Sequence, residues 1–107
     1  MMKAWSIDRS ATIDDLALRH HPIPSPKPDE ALVRIQAAAL NPGDMKVLTG
    51  RDGGRFIHSR RPPIILGFDF AGIVERAGTA VESLGIGAHV FGFIPYSSRT
   101  HQGTLAE

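Results

Sequence analysis

A chain of 107 residues is one domain's worth of polypeptide, able to bury roughly two thirds of the surface it exposes when unfolded, so one modest core fits and a second domain does not. With 42% apolar and 21% charged residues the composition is globular, not disordered, and a net charge of +1 without a large basic block excludes a partner that tracks a phosphate backbone, so no nucleic acid is expected. The absence of cysteine removes disulfides and thiolate metal sites together and suits a reducing compartment.

Met1 leads directly into Met2 to Ile7, where apolar and polar residues mix as in a short strand; no signal or transit pattern precedes it, no run is long enough for a membrane span, and the cytoplasm is the expected location. After a turn-like Asp8 to Ser10, Leu16 to Leu18 begins a second short strand that ends at His20 and His21. Pro22 to Pro28 holds four prolines in seven residues, which fix φ and remove ladder donors, so it reads as extended connector.

From Glu30 to Ala39, Val33, Ile35 and Ala37 alternate with Arg34, Gln36 and Ala38, which predicts a half-buried strand. Asn41 followed by Pro42 suits a helix start, with Asn as cap and Pro in the first turn, and Gly50 suits its end, so Gly43 to Thr49 is predicted as one or two helical turns. Residues 51–63, rich in Gly, Arg and Pro, read as a mobile surface loop, and its basic group of Arg51, Arg55, His58, Arg60 and Arg61 as a solvated surface before a phosphate or substrate clamp.

Ile64 to Leu66 is a short apolar run before Gly67, and Phe70 to Ala77 reads as a strand with Ile73 and Val74 on opposite faces, closed by Gly78 with a plausible positive φ. The turn Leu84 to Gly87 precedes a strand from His89 to Ile94. A polar loop, Pro95 to Gly103, follows, and Thr104 to Glu107 looks like a strand just begun. Many short strands and one helix predict an all-β barrel or sandwich with loops on one side.

Three segments, in order, resemble the N-terminal domain of the medium-chain dehydrogenase/reductase superfamily: Asn41 to Lys46 with Gly50; Pro63 to Val74 with Gly78 and Val81; and Gly87 to Gly92 followed by Gly103 to Glu107. The resemblance implies a mainly β, GroES-like, partly open barrel with one short helix. Its loops would face a cleft shared with a Rossmann domain, before which residues 1–107 would be cut off. The zinc alcohol dehydrogenases of the superfamily carry Cys-x-x-Asp in the first segment and Gly-His-Glu in the second. Here the matching residues are Asn41, Pro42, Gly43 and Asp44, then Gly67, Phe68 and Asp69, which removes the two best donors of a site that needs about three, so no metal is expected.

Asn41, Pro42, Asp44 and Lys46 are instead similar to the quinone-oxidoreductase and enone-reductase branch. The resemblance implies hydride transfer from NADPH, or NADH, to a quinone or α,β-unsaturated carbonyl, with the cofactor held mainly by the missing domain and the parent a homodimer. It places Asn41 near both nicotinamide and substrate carbonyl, Asp44 as a catalytic candidate and Lys46 at the cofactor, around the same helix start. The chemistry agrees, because a neutral amide can donate to an oxygen that gains negative charge during hydride transfer. Ala88 departs from the usual Asp of the family, which bears on turn stability more than on function.

Each site residue also has a plainer reading. Asn41 can be a helix cap, and Asp44 can complement the helix dipole or pair with Lys46 or a loop arginine. Asp69, between Phe68 and Phe70, should be partnered or have a raised pKa, and a structural hydrogen-bonding role is favoured for it. The five histidines lack metal-ligand spacing and read as surface or packing residues. Gly85 and Gly87 lead into a strand, not a helix, so no dinucleotide fingerprint is present and the chain alone is expected to be inactive. A GroES-like assembly module and a zinc alcohol dehydrogenase are the rival readings.

Overall fold

In the computed structural model, which describes residues 1–9 and 12–107, alternation sets the first strand: β1 (Met2–Ile7) turns Met2, Ala4 and Ser6 inward and Lys3 and Trp5 outward. The remaining elements in chain order are β2 (Ala17–His21), β3 (Ala31–Ala37), α1 (Pro42–Thr49), β4 (Ile64–Ile65), β5 (Asp69–Ala77) and β6 (His89–Phe93). They form two three-stranded antiparallel sheets, ordered β2-β1-β4 and β3-β5-β6. The sheets do not close on each other, in keeping with the open GroES-like barrel.

The stretch after Gly103 ties the sheets together through backbone bonds: Trp5 donates to Leu105 at 2.9 Å, Glu107 to Lys3 at 3.0 Å, and Ile35 of the other sheet to Glu107 at 2.8 Å. Of the strand expected at Thr104–Glu107, only an isolated bridge between Ala4 and Ala106 is formed. Between β3 and this stretch lies an open hollow of about 1170 Å³, bordered by Leu32, Val33, Phe70, Ile94 and Glu107.

The main core gathers Ile7, Val47, Leu48, Ile64, Leu66 and Phe68. An eight-residue helix is marginal alone in water, so burial of Val47 and Leu48, each contributing roughly 1.5–3 kcal/mol, is what fastens α1 to the sheet. Its C-terminus stops at Gly50, whose φ of 72° few other residues adopt cheaply, and whose N–H returns to the Lys46 carbonyl at 2.9 Å.

Three expectations are corrected. Gly78 does not carry a positive φ; the carbonyls of Lys27 and Pro28 occupy the space that a Cβ would need, so close packing explains the residue. Residues 51–63 are not a wholly solvated loop: Gly54, His58 and Ser59 are buried, and Ser59 N–H reaches the Thr100 carbonyl at 2.7 Å. The basic group is therefore split, with its arginines exposed and His58 inside. A 3₁₀ turn at Ile13–Asp15, steadied by Thr12 N–H donating to Asp15 Oδ2 at 3.1 Å, escaped the sequence reading, and Ser10 of the predicted turn lies outside the described residues.

Candidate functional site

The start of α1 gathers the polar residues singled out by sequence. Asn41 takes the N-cap position with extended backbone, and the Asp44 N–H donates to its carbonyl at 2.9 Å. Its side chain reaches across the fold: Asn41 Nδ2 donates to Asp69 Oδ2 at 3.0 Å, while Asp69 Oδ1 accepts the Ala39 N–H at 2.8 Å. A carboxylate can only accept, so this contact fixes which end of the amide faces Asp69. These two donors, Asn41 first, hold the Asp69 carboxyl below its ordinary pKa, so of the two outcomes expected for it the partnered one holds and the raised one does not.

Asp44 is 2% exposed and makes two strong contacts. Its Oδ2 accepts the Asn41 N–H at 2.8 Å and its Oδ1 the buried Gly67 N–H at 2.9 Å. Among the described residues no cation pairs with it; the only ion pair is between Arg34 and Glu75. Asp44 thus clamps the helix start to the turn that carries Phe68 and Asp69. Lys46 points from the exposed side of the same helix, one turn from its start.

Phe68 has no exposed surface and belongs to the core. The Tyr96 ring meets it edge-on at 4.7 Å and Phe93 at 5.3 Å, while Phe93 stacks on Phe68 at 6.0 Å. The Tyr96 hydroxyl rests on Gly43, where a Cβ would stand 2.8 Å from it. Sequence reasoning missed this aromatic trio because Tyr96 sits in a polar loop; that it is the chain's one tyrosine, just after Pro95, was the available signal.

His58 is buried against Phe68, with Nδ1 2.8 Å from the Ser59 carbonyl, which fits its reading as a packing residue. Burial lowers its pKa, against the opposing pull of the Ser59 and Ile65 carbonyls. Its Nε2 and the Thr104 Oγ1 are buried without a partner among the described residues. No three His, Asp or Glu side chains among those residues converge as metal ligands. The large hollow does not include Asn41, Asp44 or Lys46; we place the site at α1 because the chemistry-bearing groups meet there, whereas the hollow is the gap between unclosed sheets.

Residues 27–105 match the family model of the alcohol dehydrogenase GroES-like domain. The chain is 40% identical over 95 residues to the 2-methylene-furan-3-one reductase of Solanum lycopersicum, covering 87% of this chain and 24% of that protein. It is 38% identical over 92 residues to the chloroplastic NADPH-dependent alkenal/one oxidoreductase of Arabidopsis thaliana, covering 84% and 23%. The quinone oxidoreductase structure from Coxiella burnetii superposes with a TM-score of 0.82 at 29% identity, over 98% of this chain and 33% of that one. The chain therefore spans about a quarter of the length of the curated relatives it matches. Among the described residues no helix is long and apolar enough to cross a membrane.

Proposed function

The chain belongs to the alcohol dehydrogenase GroES-like domain family, among relatives that are quinone and enone reductases, and from that premise we propose that it is the substrate-side domain of a zinc-independent reductase. In this reading the full protein takes a hydride from NADPH, or less readily NADH, and gives it to a quinone or an α,β-unsaturated carbonyl. The relative named as NADPH-dependent supports the cofactor assignment. The nucleotide-binding domain lies outside residues 1–107, so this chain alone is inactive, and the parent is a homodimer.

The observation that carries the reading is the Asn41 amide, held by Asp69 at 3.0 Å at the start of α1. One N–H of the amide is engaged by Asp69. The second remains to meet a carbonyl oxygen, and the anchoring contact means that little reorganisation is needed when that oxygen gains charge. Asp44 acts by fixing the Asn41 backbone: both carboxylate oxygens are occupied and sealed from solvent, which favours the positioning role over direct contact with substrate. Asn41, half-buried at the helix start, and Lys46, exposed on the helix, are both open to a cofactor, and the neutral amide and exposed ammonium suit a nicotinamide carboxamide and an anionic dinucleotide. NADPH, when bound, supplies the hydride; the chain supplies orientation and the donor to oxygen.

Zinc independence rests on Phe68: the position that holds imidazole in the zinc enzymes is filled here by a ring with no exposed surface inside a hydrocarbon cluster. The test is NADPH consumption by the full-length protein with 2-cyclohexen-1-one and with 1,4-naphthoquinone, before and after exhaustive EDTA treatment. Turnover that survives chelation is expected. Turnover abolished by EDTA and restored by zinc would reverse the metal reading, and no carbonyl-dependent NADPH oxidation would remove the activity altogether.

A further inference from the structure

Tyr96 is held as a reagent would be, yet its hydroxyl has no hydrogen-bond partner among the described residues. The backbone is pinned on both sides: Ile94 N–H donates to the Phe68 carbonyl at 2.6 Å, Ser97 N–H to the Ile57 carbonyl at 3.0 Å, and Thr100 Oγ1 to the Pro95 carbonyl at 2.9 Å. Its ring is set edge-on to Phe68 at 87° and to Phe93 at 77°, so the phenol has little rotational freedom left to lose on binding. Half of the side chain is still exposed.

The hydroxyl ends over Gly43, two residues along the chain from Asn41. Any larger residue at position 43 would place its Cβ 2.8 Å from that oxygen and push the phenol aside. A single tyrosine, fixed by two aromatic neighbours and admitted to the helix start by a glycine, puts a second neutral donor at the helix start that Asn41 caps. Phe93, itself half exposed, continues the aromatic surface away from the hydroxyl.

We propose that Tyr96 is a second substrate-binding residue: its hydroxyl donates to the carbonyl oxygen of a flat, conjugated substrate whose ring lies against Phe93. The inference rests on the carbonyl-reductase reading and deepens it, by selecting conjugated rings with an in-plane oxygen over aliphatic alcohols. No proton need be transferred; the hydroxyl contributes a hydrogen bond that strengthens as charge builds on oxygen.

The test uses the full-length protein without cofactor, titrated with 2-cyclohexen-1-one and, as a probe lacking the oxygen, cyclohexene, with the carbonyl stretch of the bound enone read by infrared difference spectroscopy. The expected result is a lowered stretch in the native protein. Tyr96→Phe should weaken enone binding about 2- to 12-fold, the worth of one net hydrogen bond, and reduce the lowering, with cyclohexene binding and thermal midpoint unchanged. Gly43→Ala should reproduce the loss with the hydroxyl still present. A purely structural ring would leave the stretch untouched. If Tyr96→Phe keeps native affinity and stretch while Asn41→Ala loses them, the inference is overturned and the carbonyl reading stands. A loss confined to Tyr96→Phe sustains the inference and removes the part of Asn41. Absence of any lowered stretch in the native protein overturns both.

Discussion

Asp44→Asn separates the positioning role of Asp44 from a role in chemistry. The carboxylate, 2% exposed, faces two N–H donors, from Asn41 at 2.8 Å and from Gly67 at 2.9 Å. An amide of the same shape offers one oxygen and one NH2, so one of the two donors loses its acceptor and meets another donor. A hydrogen bond to a charged group contributes about 1.5–3 kcal/mol net, against a total of roughly 5–15 kcal/mol for a domain of this size. Asp44→Asn should therefore lose about 1.5–3 kcal/mol in urea unfolding, seen as a midpoint lowered by roughly 1 M. Asp44→Ala, which abandons both donors, should cost about twice that. A change under about 0.5 kcal/mol for Asp44→Asn would refute the clamp and return Asp44 to the list of groups free for chemistry.

Other outcomes follow from the same packing. Phe68→Ala should destabilise the chain by about 3–5 kcal/mol, because it empties the centre of the core and strips edge contacts from His58 and Tyr96; a loss under 2 kcal/mol in equilibrium unfolding would contradict the packing. His58 is neutral and buried with a depressed pKa, so the unfolded chain binds the extra proton first. Stability should then decline as pH falls from 6.5 through the lower folded value, with a slope no steeper than one proton. His58→Gln should flatten that window in a pH series of urea midpoints, and an identical pH dependence in the variant would exclude His58 as its source. The Asp69 carboxyl, held below 3.8 by Asn41 and Ala39, contributes stability that is lost as pH falls from 3.8 through its folded value; Asn41→Ala should bring the folded value back toward 3.8 and shrink that loss, and a loss of undiminished size would count against the pair.

Much of the framework was legible because local signals suffice for it. The mix of apolar and polar residues in Met2–Ile7, the proline run before β3, and the Asn41, Pro42 and Gly50 punctuation around α1 all gave elements close to those found. The zinc-ligand substitutions at Asn41 and Phe68 were likewise visible in the ordered motifs. What stayed hidden depends on partners distant in the chain. Composition cannot reveal that His58 and Ser59 turn inward, because His58 packs on Phe68 and the segment is tied, through Ser59 to the Thr100 carbonyl and through the Ile57 carbonyl to Ser97, to a loop distant in the chain. Asn41 reads as a cap in sequence, and only the fold brings Asp69, 28 residues away, to claim its side chain. Tyr96 gave no periodic signal at all; its significance comes from Gly43 and two phenylalanines on other elements.

The amide of Asn41 is the group on which the account turns, and its most direct test is the kcat/KM of the full-length protein and its Asn41→Ala variant for NADPH-dependent reduction of 2-cyclohexen-1-one. Loss of one preorganised donor to the developing oxyanion should lower the value on the order of 100-fold while the fold, followed by its unfolding midpoint, persists. A variant that turns over as fast as the native protein would contradict the assignment.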